Sequence, residues 1–204
     1  MEILEHKNGR RIGEISNEEV RGLIIFQYNK NNDIYGDLLL LKNGADRSTR
    51  NPDINSKLEI VGGRRALEAV LNGYKKDAQS EDILRGILRE VEEETGLRGE
   101  NIQFCEPLTK ITTNYNTQEV ISHIFKIVVD KRFEPKLTKK HVGHQWLSLD
   151  NGLYEYDSEK KDYILKPECI ITPRAHAILE SLKYNYKIKM YLSKKIGQYS
   201  PLPG

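Results

Sequence analysis

Apolar residues alternate or run together in several short stretches, and this pattern predicts strands. Dense apolar runs indicate strands over residues 21–28, 37–41 and 57–61 in the first third of the chain. Two further runs indicate strands over residues 101–111 and 118–130. Because segments of helical period lie among these runs, the pattern predicts an α/β protein in which strands are mixed with helices.

The strongest helical pattern covers residues 80–96. Ser80 is a good N-cap, and Gly96 stands where a left-handed C-cap favours glycine. Between these two residues the apolar side chains recur at a period of 3.6 and predict one buried stripe, formed by Ile83, Leu84, Ile87, Leu88 and Val91. We therefore expect one face of this helix to pack on the sheet.

Four other segments have recognisable local signals. Asn8-Gly9 predicts the turn of a hairpin over residues 2–15, and residues 151–167 indicate a polar turn or a second hairpin. Thr172-Pro173 predicts the start of a final helix, with an apolar face made of Ala175, Ile178, Leu179 and Leu182. Residues 64–80 contain a further short apolar face of helical spacing.

Three carboxylates lie close together on the helix predicted over residues 80–96. Glu90, Glu93 and Glu94 are separated by steps of three and four residues, so their side chains converge on a stripe beside the apolar one. Like charges at this spacing repel one another unless a cation lies between them. Oxygen ligands of this kind suit Mg²⁺, so the stripe indicates a divalent-metal site. A solvated acidic face is the alternative explanation of the same pattern.

The segment Arg89-Glu90-Val91-Glu92-Glu93-Glu94-Thr95-Gly96-Leu97 resembles the second half of the Nudix box, R-E-U-x-E-E-x-G-U, in which U is aliphatic. Every specified position matches. Gly62-Gly63, directly after the strand predicted over residues 57–61, resembles the glycine pair that opens the box. The sequence departs from the family pattern at residues 64–80, an insertion between Gly63 and Glu81. On these residues the chain is identified as a member of the Nudix hydrolase family.

The resemblance implies a fold and a metal site. The fold is a Nudix α/β/α sandwich with a mixed β-sheet, with the box helix on one face and the C-terminal helix on the other. The cofactor implied is Mg²⁺, with Mn²⁺ as a possible substitute. The ligands implied are the carbonyl of Gly63 and the carboxylates of Glu90, Glu93 and Glu94. Arg89, Glu90 and Glu93 are the implied catalytic residues, Arg89 by holding the carboxylates in place and Glu90 as a further ligand or as the group that orients water.

The reaction implied is hydrolysis of a nucleoside diphosphate linked to another moiety. ADP-ribose or a nucleotide sugar is the favoured substrate type, because the chain has elements beyond a minimal triphosphate-hydrolysing domain. The alternatives are a non-catalytic nucleotide-binding sensor and a nucleoside triphosphate or RNA-cap pyrophosphatase. Metal-dependent turnover separates an enzyme from a sensor.

The general base is the part of the site that the resemblance leaves open. Many family members have a glutamate a few residues before the tryptophan that matches Trp146. Here the corresponding place reads Lys139-Lys140-His141, without a carboxylate. The nearby side chains that remain as candidates are Asp130, Glu134, His141 and His144.

Composition favours one domain and a small-molecule partner. The chain has 204 residues and a net charge of +2, so no strong positive field favours nucleic acid or a membrane surface. The expected organisation is a single domain over 1–204 with an N-terminal hairpin extension (1–20), the insertion (64–80) and a C-terminal tail (183–204). A homodimer is possible. Two isolated cysteines and the lack of an apolar leader predict a cytoplasmic protein.

Overall fold

The computed structural model describes residues 4–5, 11–12, 17–30, 33–44, 56–65, 82–115, 118–185 and 188. In chain order its strands are β1 (Leu4–Glu5), β2 (Arg11–Ile12), β3 (Glu18–Lys30), β4 (Asp33–Asn43), β5 (Leu58–Glu59), β6 (Val61–Arg64), β7 (Phe104–Tyr115), β8 (Gln118–Val129), β9 (His141–Ser148), β10 (Tyr154–Asp157) and β11 (Asp162–Leu165). The two α-helices are α1 (Ile83–Thr95) and α2 (Pro173–Leu182). A 3₁₀ turn covers Gly99–Asn101, and a π-helical turn covers Leu149–Leu153.

The centre of the molecule is a seven-stranded mixed sheet. Its main path is β5-β4-β3-β8-β7, with β6 beside β3 and β9 beside β4. β3 and β8 are parallel, and the other pairs in this sheet are antiparallel. The two short pairs, β1–β2 and β10–β11, are antiparallel hairpins in agreement with the sequence pattern.

The strands β3 and β4 separate at one end, and the segment β5–β6 fills the gap. β3 pairs with β4 from Ile25↔Leu38 toward the turn, but its first residues pair with β6 instead, as in Gly22↔Val61. At the same end β4 pairs with β5 through Leu41↔Glu59. The glycine pair predicted to follow a strand therefore lies inside one, because Gly62 and Gly63 are paired residues of β6.

Alternate residues of the central strands supply two separate hydrophobic cores. Val20 and Ile24 of β3 pack in the core that contains Ile87 and Val91 of α1. Leu23 lies in the other core, which contains the apolar residues of α2. Since successive side chains of a strand point to opposite faces, the two helices cover opposite faces of the sheet. The predicted α/β/α sandwich is confirmed.

The observed ends of the two helices agree with some of the capping residues predicted from the sequence and disagree with one. Thr172 caps α2 by accepting a hydrogen bond from the backbone N–H of Ala175 at 3.2 Å, as predicted. Gly96 ends α1 with a φ of 71°, also as predicted. The N-cap of α1 is Asp82, so the prediction of Ser80 was wrong, and Leu84 is 46% exposed although it was expected in the buried stripe.

Other sequence predictions meet the structure only in part. Of the predicted insertion (64–80), Arg64 is the last residue of β6 and Arg65 follows it, while residues 66–81 lie outside the described residues. In the predicted tail, Lys183 and Ile188 are buried, and Ile188 belongs to the core under α2. Among the described residues no helix has the length and the apolar character needed to span a bilayer.

Gly22 is the point of close approach between β3 and α1, and we expect Gly22→Ala to destabilise the fold. A Cβ at this position would lie 2.8 Å from Cδ1 of Ile127 and 3.1 Å from Cδ1 of Ile87. Overpacking of this kind costs about 1–3 kcal/mol of unfolding free energy, which urea denaturation measures. Gly143→Ala in β9 is the control, because its nearest neighbour would be Cβ of Lys42 at 3.8 Å. Equal stability of the two variants would contradict the close contact.

Candidate functional site

The helix α1 is fixed at both of its ends. The side chain of Asp82 accepts hydrogen bonds from the backbone N–H groups of Leu84 and Arg85, at 3.0 and 3.1 Å. At the other end the N–H of Gly96 donates to the carbonyl of Glu92 at 2.8 Å. Because both ends are capped, the side chains on the buried face of α1 have defined positions against β6.

Glu94 is the carboxylate that joins α1 to the sheet. It is 6% exposed, and its Oε2 accepts a hydrogen bond from the backbone N–H of Gly62 at 2.9 Å. Burial, with a further contribution from the negative charge of Glu90, raises the pKa of Glu94 to about 7. The Gly62 N–H and the positive charges of Arg21 and Lys140 act in the opposite direction. The site therefore holds a carboxylate with too little positive charge around it.

Glu90 lies one helical turn before Glu94, against the other glycine of the pair. It is 7% exposed, and burial raises its pKa. A Cβ on Gly63 would lie 2.5 Å from Cδ of Glu90 and 2.6 Å from Oε1. The absence of a side chain at position 63 is therefore what allows the Glu90 carboxylate to rest on β6.

Arg89 links Glu90 to Glu93. Its Nη1 donates to Oε1 of Glu90 at 2.8 Å and to Oε2 of Glu93 at 3.1 Å, and its Nη2 donates to the carbonyl of Arg64 at 3.4 Å. The side chain of Glu93 is 57% exposed. The predicted stripe therefore divides into two buried carboxylates and one exposed carboxylate that Arg89 holds beside them. Glu92 points away and lies 3.5 Å from Nε of Arg98.

The arrangement fits a hard divalent cation. Among the described residues, no three His, Cys, Asp or Glu side chains already converge as a metal cluster. However, the buried groups at this position are oxygen donors, which Mg²⁺ prefers. A cation at Glu90 and Glu94 would supply the positive charge that these two carboxylates lack.

A buried network behind the glycine pair was not found from the sequence. Arg21, 4% exposed, donates to Oε1 of Glu59, to the carbonyl of Ile60 and to Oε2 of Glu19, each at 3.1 Å. Burial alone would lower the pKa of Arg21, but Glu59 and Glu19 raise it above its ordinary value. The available signal was the presence of charged residues at the start of a strongly apolar strand, where an unpaired charge is very costly.

Lys140 occupies the position at which a late carboxylate was sought. The pKa of Glu90 and that of Glu94 are both raised on balance, and the positive charge of Lys140 is a small influence that opposes the rise. His141 is buried, and burial lowers its pKa, whereas Glu134 is exposed and lies 3.6 Å from Nε2 of His144. No carboxylate stands at this position, and the identity of the base stays a prediction.

Comparison with known proteins identifies the fold. The family model described as the NUDIX domain matches residues 21–166. A Nudix hydrolase from M. smegmatis, RenU, has a TM-score of 0.51 at 12% identity, over 99% of this chain and 97% of that chain. A bifunctional NMN adenylyltransferase/ADP ribose pyrophosphatase from Francisella tularensis gives 0.47 at 18% identity, over 84% of this chain and 41% of that chain. A C. elegans Ap4A hydrolase binary complex gives 0.45 at 15%, over 65% and 80%. No curated protein matches in sequence.

The two glycines of β6 are expected to respond differently to alanine. Gly62 has a φ of 143°, and a Cβ there would collide with the carbonyl oxygen of Val20 and lie 3.0 Å from Cα of Arg21. The backbone strain alone costs about 1–3 kcal/mol, so Gly62→Ala should lower the free energy of unfolding by at least that amount. Gly63→Ala meets only the end of the Glu90 side chain and should cost about 1 kcal/mol or less. Urea denaturation of both variants measures the difference, and a larger loss in Gly63→Ala would contradict this geometry.

Proposed function

This chain belongs to the NUDIX domain family and is a Nudix hydrolase, and we propose that its reaction is the Mg²⁺-dependent hydrolysis of a nucleoside diphosphate linked to another moiety. The observation that supports this proposal most directly is the pair Glu90 and Glu94, buried on α1 against Gly62 and Gly63. A surface acidic face would leave both carboxylates in water, and both are excluded from it.

The metal-binding residues that we propose are Glu90, Glu93, Glu94 and the carbonyl of Gly63. A divalent cation, when bound, neutralises phosphate oxygens and lowers the pKa of bound water. Mn²⁺ is the expected substitute for Mg²⁺. The separation into two buried carboxylates and an exposed one suits a site that holds the cation from one side and leaves its other side open to a diphosphate.

The protein groups around the carboxylates have separate roles in this proposal. Glu90 is a further ligand or the group that orients or deprotonates the attacking water, since its carboxylate lies against Gly63 and Arg89 holds its Oε1 at 2.8 Å. The N–H of Gly62 holds Glu94 in its orientation through the hydrogen bond at 2.9 Å. Arg89 fixes Glu90 and Glu93 relative to each other by charge-assisted hydrogen bonds. Arg89 thus acts through the carboxylates, as a positioning residue.

Lys140 provides a binding group for the substrate in the same proposal. It stands on the loop that leads into β9, and its charge acts on both Glu90 and Glu94. The side chain is exposed, so a phosphate oxygen of the substrate can approach it from solvent. A point charge at this place favours an anionic substrate over a neutral one.

We propose ADP-ribose or a nucleotide sugar as the substrate type. The reason is the same as in the sequence: the chain has elements beyond a minimal triphosphate-hydrolysing domain, among them the hairpin β1–β2 before the matched residues 21–166. We also propose a single domain in a reducing cytoplasm, which the free thiols of Cys105 and Cys169 fit, and homodimerisation as a further expectation.

A substrate panel tests the proposed reaction. The full chain is incubated with Mg²⁺ and with ADP-ribose, a nucleotide sugar, NADH, diadenosine polyphosphates or nucleoside triphosphates. Release of the nucleotide product and of the second phosphorylated product is measured. Turnover of an ADP-ribose-type compound that requires the metal would support the proposal. Turnover of nucleoside triphosphates alone would show that the substrate class is the triphosphates and not ADP-ribose-type compounds. Absence of turnover, together with a ligand that raises the melting temperature, would identify a sensor instead.

Neutral substitutions of the box carboxylates provide the residue-level test. Glu94→Gln and Glu93→Gln should each lower kcat/KM by more than about 100-fold, because loss of a direct ligand should exceed the roughly 10–100-fold effect of losing an outer-sphere partner. Glu92→Gln is the matched control, since Glu92 lies on the same helix and points away. Near-normal turnover in a folded Glu94→Gln variant would contradict the assignment of Glu94 as a metal ligand.

Removal of the Lys140 charge should weaken substrate binding more than chemistry. Lys140→Ala is expected to raise KM about tenfold with little change in kcat, the pattern of a contact made equally in the ground state and the transition state. Lys139→Ala removes the neighbouring exposed lysine and should leave both constants near those of the unmodified protein. Equal changes in the two variants would show that only the general positive field matters.

A further inference from the structure

We propose that Arg21 is a positioning residue for the metal site. It acts by holding residues 59–61, the crossing segment through which the chain passes from β5 to β6, so that the N–H of Gly62 is aimed at Glu94. This inference rests on the proposed function, because it assigns Arg21 a role toward the cation that Glu90 and Glu94 would bind. Arg21 lies on β3, outside the box, and has no direct contact with the proposed ligand oxygens among its hydrogen bonds.

The first step is the set of hydrogen bonds from Arg21 to the crossing segment. Its Nη1 donates both to the carbonyl of Ile60 and to Oε1 of Glu59, each at 3.1 Å, and thus bonds two consecutive residues of the crossing segment. β3 and β6 are also paired at this place through Arg21↔Gly62. The guanidinium therefore fixes the chain just before the glycine pair, at the point where it leaves its pairing with β4 in β5 and begins its pairing with β3 in β6.

The second step runs from the crossing segment to the ligands. Gly62 lies so close over Arg21 that a Cβ would come within 3.0 Å of both Cα and Cδ of the arginine. From this position the Gly62 N–H reaches Oε2 of Glu94 at 2.9 Å, and the next residue, Gly63, supports Glu90. A shift of the segment would therefore move the groups that orient both buried carboxylates.

The third step is the anchoring of Arg21 itself. Its Nη2 donates to Oε2 of Glu19, and Glu19 in turn accepts from Oγ of Ser122 at 2.5 Å and from Nη1 of Arg174 at 2.9 Å. On the other side Oε2 of Glu59 accepts from Nδ2 of Asn43 at 3.0 Å. These bonds connect β3 with β4, β8 and α2, so the guanidinium is held by surrounding elements and transmits their position to the crossing segment.

The geometry requires an arginine at this position. A guanidinium presents several donors in a rigid plane, and here two terminal nitrogens serve three acceptors in different directions. A lysine keeps the positive charge, but its single ammonium is a flexible point donor and cannot reproduce the same planar arrangement. Arg21→Lys thus separates the role of the charge from the role of the shape.

The test measures Mn²⁺ affinity directly, by the EPR signal of free Mn²⁺, together with urea denaturation. Arg21→Lys is expected to raise the Mn²⁺ dissociation constant by about 10-fold or more, the range seen when an outer partner of a ligand is lost. Glu59→Gln should shift it in the same direction by a smaller factor. Turnover lost by Arg21→Lys should return as Mn²⁺ is raised. Arg174→Ala is the comparison variant: it removes a partner of Glu19 that is one residue further from the crossing segment, so it should raise the dissociation constant by less than Arg21→Lys.

The outcomes separate this inference from the proposed function. If Arg21→Lys does not fold, the shift in Glu59→Gln decides, because Glu59 is partly exposed and glutamine preserves its shape. A folded Arg21→Lys with unchanged Mn²⁺ affinity, or an equal loss of affinity in Arg174→Ala, would overturn the positioning role while the unmodified enzyme still binds metal and hydrolyses its substrate. If the unmodified protein binds no Mn²⁺, the proposed function fails and the inference fails with it.

Discussion

The hydrogen bond from the Gly62 N–H to the Glu94 carboxylate joins the helix of the site to the sheet, and the surrounding structure serves to place its two ends. The donor is presented by a backbone conformation that only glycine adopts readily, in a strand segment that lies in the gap between β3 and β4. The acceptor is presented by a helix capped at both ends. Neither half is sufficient alone, because a free Glu94 would turn to water and a free Gly62 N–H would be a buried unpaired donor.

Local signals in the sequence were sufficient for the helix and its carboxylates. A C-cap glycine, a helical period and the spacing of glutamates are properties of neighbouring residues, so the end of α1, the burial of Ile87 and Val91, and the place of Glu90 and Glu94 followed from them. The same periodicity could not show that Glu93 is exposed while Glu90 and Glu94 are buried. Which carboxylate is buried depends on where the sheet surface ends beneath the helix.

Interactions between distant residues account for what the sequence did not disclose. Arg21 and Glu59 are 38 positions apart, and their bond exists only because β3 and β4 diverge and admit β5–β6. A charged residue in an apolar strand signals a partner but does not name it. The sequence showed that no carboxylate stands near position 140. It did not show that the charge of Lys140 acts on Glu90 and Glu94, because that depends on the fold of the loop before β9, which has no repeating pattern.

The parallel pairing of β3 with β8 has a consequence for the order in which this chain acquires its structure. Residues near position 20 pair with residues near position 123, and Arg174 bonds to Glu19 across 155 positions. Contacts of such long sequence separation form slowly, since loop closure must precede the gain from pairing. On a ribosome the helix α1 is synthesised well before β8 and α2, and its apolar stripe has no completed sheet to cover. The core beneath α1 is therefore complete only when β8 has joined β3, because Phe125, Ile127 and Val129 of β8 belong to it, and until then the apolar face of α1 is exposed to aggregation.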